Sequence, residues 1–127
     1  MKPSTAEWVD KAEGDFTTAQ RELRARKKPN YDAACYHAQQ STEKYLKAWL
    51  QECGIIIPKT HDLVQLLSLC PENMGLHSLR DGFSKLSAYA VEFRYPGENA
   101  DKISAKEAMK ICCAAKAELR GLLKLDE

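Results

Sequence analysis

Residues 31–52, YDAACYHAQQSTEKYLKAWLQE, decide the fold. The stretch holds neither Pro nor Gly, so nothing in it interrupts a helix. Cys35, Ala38, Thr42, Tyr45, Leu46, Trp49 and Cys53 recur at steps of three and four and form one mostly apolar stripe. A second stripe beside it, His37, Gln40, Lys44, Lys47 and Gln51, is polar throughout. Glu43 precedes Lys47 by one helical turn, the favourable order for an intrahelical ion pair. Four hydrogen-bonding side chains, Gln39, Gln40, Glu43 and Lys44, crowd beside a core stripe that carries two large aromatics. That pattern predicts a central helix whose polar flank lines a groove.

The flanking sequence supplies further helices. Ser4-Thr5-Ala6-Glu7 has the form of a capping box. Trp8, Ala12, Phe16, Ala19 and Leu23 then predict an amphipathic helix to about Lys27, with Arg24, Arg26, Lys27 and Lys28 at its dipole-negative end. Pro29-Asn30 makes the turn into the central helix, and Gly54 closes that helix. Ile55-Ile56-Ile57 is too short a β-branched run before Pro58 to argue a sheet, and is expected to anchor a connection against the core. Thr60 is expected to cap a short helix from His61 to Cys70. Glu72 to Gly75 reads as a turn. Leu76, Leu79, Phe83, Leu86, Ala90 and Phe93 mark a fourth helix that Gly82 weakens and Pro96-Gly97 ends. After a polar loop, a second capping box, Ser104-Ala105-Lys106-Glu107, opens the last helix through Leu122. The expected fold is all-α: an antiparallel up-and-down bundle of four long helices plus one short helix, in a single domain over residues 1–127.

Composition narrows the function classes. Nineteen basic against eighteen acidic residues leave a net charge of +1, so no global field favours nucleic acid or a membrane surface. No apolar run approaches the ~20 residues that span a bilayer, and the N-terminus has no leader-like apolar segment. The five cysteines form no C-x-x-C pair, and Cys35, Cys53 and Cys112 fall on apolar stripes, as reduced thiols do. The expected location is the cytoplasm. His37, His61 and His77 are scattered without metal-ligand spacing, and no Gly-rich phosphate loop occurs, so neither a metal nor another cofactor is expected. No nucleophile with a neighbouring base stands out, and no catalytic residue is assigned.

Three patches remain as candidate binding residues. One is the flank Gln39-Gln40, Glu43-Lys44 and Lys47 of the central helix. A second is Lys59-Thr60-His61-Asp62, where a helix N-terminus offers N–H groups to an anion. The third is Glu92-Phe93-Arg94-Tyr95-Pro96, where a helix end presents an arginine and a tyrosine together. Each patch alone is also what an ordinary helix end or solvated flank carries.

Their order along the chain carries more than any one of them. Trp8, Ala12, Asp15 and Phe16 are followed by Tyr31-x-x-Ala34-Cys35-Tyr36-His37-Ala38-Gln39-Gln40-x-x-Glu43-Lys44-x-x-Lys47-Ala48, then Thr60-His61-Asp62-Leu63 and Arg94-Tyr95-Pro96. This series closely resembles the HEPN domain, a family named for higher eukaryotes and prokaryotes and for nucleotide binding. The resemblance covers nearly the whole chain, most specifically in A-x-Q-Q-x-x-E-K-x-x-K-A and R-Y-P. It implies a bundle of four to five helices, commonly dimeric, often encoded beside a small nucleotidyltransferase, and binding a nucleotide or another phosphorylated small molecule. Many relatives are ribonuclease toxins marked by Arg followed four to six residues later by His. No histidine here follows an arginine at that spacing.

The reading that follows is a non-catalytic HEPN-like protein. Lys44, Lys47 and Arg94 are expected to face phosphate, with Gln40 and Glu43 hydrogen-bonding base or ribose and Tyr95 stacking on a base; His61, from the helix-start patch, completes the expected ligand-binding set. Its expected protein partner is a small nucleotidyltransferase in a toxin–antitoxin-type pair. The rival from another class is an RNA-cleaving toxin that uses His37 or His61 with Arg94. A third reading is a purely structural interaction module. A homodimer is expected, because Tyr36, Tyr89, Cys113 and Leu123 are apolar positions that one stripe per helix does not use.

Overall fold

Helix α2 (Tyr31–Glu52) forms as its periodicity predicts. Asn30 caps it, accepting the Ala33 amide at 2.9 Å, and Gly54 ends it in the left-handed region at φ 72°. The computed structural model describes residues 1–125, and α2 lies at the centre of its packing. Cys35, Ala38, Tyr45, Leu46, Ala48 and Leu50 on α2 are buried. Against them lie α1 (Pro3–Arg24), α3 (Leu63–Leu69), α5 (Arg80–Glu92) and α6 (Lys102–Leu122). A four-residue α4 (Met74–His77) joins α3 to α5 and packs on α6.

Cross-helix contacts fix the topology. Lys2 reaches Glu52, the Ser41 hydroxyl donates to the Ala12 carbonyl at 2.8 Å, and Asp15 meets His37, so α1 and α2 run antiparallel. Arg94, just past the end of α5, lies near Tyr36 at the start of α2, whereas Leu63, beside the end of α2's connection, meets Ser87. Asp32 touches Ala100 and Tyr45 touches Arg120, so α6 returns parallel to α2 across the bundle. The long helices therefore alternate up and down, the expected all-α arrangement. Among the described residues no strand forms, and no helix is long and apolar enough to cross a membrane.

Several local expectations are corrected. The fourth helix is broken: Asn73 caps α4, and the chain turns through Ser78 and Leu79 before α5 begins at Arg80. The bundle thus carries two short helices instead of one, and Met74 and Gly75 are helical instead of a turn. Neither Ser/Glu capping box is used. Pro3 takes the first helical position of α1, where its missing N–H costs nothing, and Lys2 is the residue before it. The hydroxyl of Thr5 instead donates to Glu52 at 2.9 Å. At α6 the cap is Asp101, which accepts from the Ser104 amide at 2.7 Å, three residues ahead of the expected cap. α1 ends at Arg24, so Arg26, Lys27 and Lys28 stand in the connection to α2. Gly82 has a packing reason: a Cβ there would sit 3.3 Å from Ile111, so its absence lets α5 and α6 approach. Ile55 and Ile57 do anchor their connection against the core, while Ile56 points outward at 91% exposure.

Candidate functional site

The apolar side of α2 is chemically quiet. Burial pushes the thiols of Cys35 and Cys70 up to about 12 and that of Cys112 to about 11, so none of them is a thiolate near neutrality. The Tyr45 hydroxyl is held above the usual phenol range by burial and by donating to Glu13, and it accepts from Arg120. This internal network ties α1, α2 and α6 together.

The polar flank of α2 is built differently on its two edges. Towards α1, Asp15 accepts from His37 Nδ1 at 2.8 Å and pairs with Lys44. Towards the connection that follows α2, Glu43 is 3% exposed. One of its oxygens lies 3.0 Å from His61 Nδ1, and the other accepts from Lys47 at 3.0 Å. Gln39, also buried, donates to the His61 carbonyl at 2.9 Å and accepts from the Gln40 amide at 2.8 Å. The His61 side chain itself is 81% exposed. A carboxylate accepts only, so the proton of that bond sits on Nδ1, and the ring's other nitrogen, Nε2, is left to the open side.

Around that ring lies a cleft between α2 and α5. Its narrow end, about 120 Å³, is lined by Tyr36, Gln39 and Gln40 on one wall and by Ser87, Val91 and Arg94 on the other, with His61 between them. It opens past His61, Ser87 and Val91 into a groove of about 850 Å³ that reaches Asp62, Arg80 and Glu92. The Ser87 hydroxyl accepts from the Leu63 amide at 3.2 Å and so locks the start of α3 to α5. The Arg94 guanidinium lies 6.0 Å from the Tyr36 ring centre. Among the described residues no carboxylate lies within ion-pair distance of Arg94 or Arg80.

The predicted site residues are therefore divided. Gln40, His61 and Arg94 line the cleft together, and Glu43 stands behind His61. Lys44 is committed to Asp15, and Lys47 is buried between Glu43 and the Trp8 ring, 5.6 Å from its centre. Tyr95 is 64% exposed and lies outside both parts of the cleft. The N-terminus of α3 is not open to an anion. Asp62 accepts the Val64 and Gln65 amides, and Ser87 takes that of Leu63. Sequence reasoning misses Arg80 and Ser87, which carry no local signal beyond their helix, and finds Tyr36 only as surplus apolar surface. Gln39 belongs to the polar patch, but its role as the clamp on the His61 carbonyl depends on the fold. Among the described residues no three His, Cys, Asp or Glu side chains converge as metal ligands do.

Comparison with known proteins bears on the fold. The family model of the HEPN domain matches residues 5–117. TT1696 from Thermus thermophilus superposes with a TM-score of 0.80 at 22% identity, over 94% of this chain and 98% of that one. ST0689, an archaeal HEPN homologue, superposes with a TM-score of 0.76 at 22% identity, over 96% of this chain and 98% of that one. At that identity the likeness carries the fold alone. No curated protein matches the sequence significantly.

Proposed function

Since the chain belongs to the HEPN domain family, we propose that it binds a nucleotide or another phosphorylated small molecule in the cleft between α2 and α5. The observation that carries this reading is Arg94. It is a guanidinium without a carboxylate partner among the described residues, in a concave site beside two side-chain amides and an imidazole. Arg94 takes the phosphate, with Arg80 further along the groove for a second one. The Gln40 side-chain oxygen and His61 Nε2 accept from ribose or base, and Glu43 positions His61. Lys44 and Lys47 are already neutralised by Asp15 and Glu43, so in this reading they stabilise the wall instead of touching phosphate.

Calorimetric titration with ATP, GTP and AMP tests the proposal. Millimolar or tighter binding is expected, weakened at least tenfold by Arg94→Ala and less than twofold by Lys44→Ala. No binding at millimolar ligand would overturn it. In the same reading a small nucleotidyltransferase is the protein partner, and co-expression with the product of a neighbouring nucleotidyltransferase gene should yield a complex. A homodimer completes it: Tyr36 and Val91 are exposed apolar side chains lining the cleft, where a second copy would cover them. A mass near one chain by light scattering at micromolar concentration would remove that part.

A second reading has one observation in its favour: His61, oriented by a buried carboxylate, shares its cleft with Arg94. That pair has the elements of a metal-independent ribonuclease, an imidazole base for a 2′-hydroxyl and a guanidinium for the developing phosphorane charge. Cleavage of structured RNA in EDTA, lost in both His61→Ala and Arg94→Ala, would establish it. Intact RNA after prolonged incubation would dismiss it.

A further inference from the structure

The helix dipole accounts for only part of the basic run at the end of α1, Arg21 and Arg24 in its last turn. Arg21, Arg24, Arg26, Lys27 and Lys28 fall close together with Glu22 the one acid among them. The helix stops at Arg24, so the last three stand beyond its final turn, exposed. The fold then adds a second set of cations. Lys102 and Lys106, one turn apart at the start of α6, face Arg24 and Arg26 across a groove of about 580 Å³, with Tyr31 and Pro29 between the two walls. All four cations are exposed, and none lies within ion-pair distance of a carboxylate among the described residues. Four uncompensated like charges around one groove repel each other in a chain whose net charge is only +1.

Beyond Tyr31 and Pro29 the groove continues into a second depression of about 330 Å³, which Lys28, Asn30 and Asn99 also line. Asp32, the acid found there, is engaged with the Ala100 amide at 2.6 Å. The two depressions share Pro29 and Tyr31, and neither shares a residue with the His61–Arg94 cleft.

We propose that this groove is a docking surface for single-stranded nucleic acid, independent of what the cleft between α2 and α5 binds. Cations on both walls suit a phosphate chain running between them, and arginine adds bidentate phosphate contacts. The continuation through a second depression suits a polymer rather than a single small anion. Tyr31, packed on the core with part of its surface open to the groove, and half-buried Pro29 offer apolar surface to unpaired bases, whereas an acidic peptide requires cations alone.

The test is fluorescence anisotropy with a labelled 12-nucleotide single strand of mixed RNA sequence, titrated with the full chain from 50 to 300 mM salt. The double variant Arg24→Gln/Lys106→Gln removes one cation from each wall. Lys11→Glu, exposed elsewhere on α1, removes the same two units of net charge. The double variant should lose at least tenfold in affinity, and Lys11→Glu less than threefold. The slope of log K against log salt should become shallower by about 1.4, since each single-strand phosphate contact contributes ~0.7. Arg26→Gln/Lys102→Gln should reproduce the loss, with circular dichroism confirming that both variants are helical. Parent protein that binds no strand at 50 mM salt overturns the proposal. So do equal losses in Lys11→Glu and the double variant. Equally tight binding of a duplex, or equal competition by poly-glutamate, would assign the groove to a different polyanion and overturn it as well.

Discussion

The molecule contains two histidine–carboxylate–lysine groups made of the same parts. Asp15 is shared by His37 and Lys44 on the α1 edge of α2, and Glu43 is shared by His61 and Lys47 on the opposite edge. In the first group burial is spread evenly: the side chains of His37 and Lys44 are 30% and 24% exposed, and that of Asp15 is 12% exposed. In the second it is polarised: the side chains of Glu43 and Lys47 are nearly enclosed at 4% and 10%, while that of His61 stands at 81%. The first group is a seam between two helices. The second is an anchored imidazole with an open face, in a cleft whose arginine has no carboxylate partner among the described residues. Identical side-chain chemistry thus serves packing in one place and presentation in the other, and the difference lies in what surrounds each ring.

The largest effect that separates the two groups should come from their carboxylates. Glu43→Ala leaves Lys47 enclosed without its counter-charge, and should cost about 3–5 kcal/mol in urea unfolding. Glu43→Gln, which keeps hydrogen-bonding atoms in place, should cost less. If Glu43→Ala proved as mild as a surface change, the contrast in burial would not matter energetically.

Next in size is the effect on ligand. His61→Ala should reduce nucleotide affinity about tenfold, ~1.4 kcal/mol, while shifting stability by less than ~0.5 kcal/mol because the ring is exposed. His37→Ala should leave affinity unchanged, as its ring faces Asp15 outside the cleft. Equal affinity losses in the two variants would erase the functional half of the comparison.

Asp15→Ala should cost about 1 kcal/mol of stability, the scale of a partly solvated ion pair, and that cost should shrink in high salt. The smallest effect concerns the arginine's own support. Tyr36→Leu removes the ring beside Arg94, a contact of ~0.5–1 kcal/mol at an exposed site, and should weaken phosphate binding two- to fivefold.

Much of this arrangement was legible in the residues. The stripe from Cys35 to Cys53 located α2 to its ends, since periodicity and the Asn30 and Gly54 boundaries act within a turn or two of chain. Gln39 and Gln40 do line a cleft, as the density of polar side chains beside a core stripe suggests, whereas Glu43 stands behind His61 and Lys44 turns to α1. The caps were harder to read. Ser4 and Ser104 have the right spacing to Glu7 and Glu107, yet Pro3 and Asp101 start their helices earlier, and a helix begins once. The break at Ser78-Leu79 was hidden because Leu76, Leu79 and Phe83 keep a helical rhythm through it. Packing of α4 on α6 outweighs that continuity.

The sequence by itself determined the all-helical fold, the central place of α2 and the family. These follow from patterns repeating every three or four residues, and local chemistry enforces them. Only the tertiary structure decided which charges are available. Lys44 and Lys47 look like phosphate ligands beside Gln40 on a helical wheel, but Asp15 arrives from α1 and Trp8 covers Lys47. Arg94 looks like an ordinary helix-end residue until α5 sets it opposite Tyr36 and His61. A charge becomes a binding group or a structural one according to the partners that distant segments bring within a few ångströms, and short-range spacing carries no record of those partners.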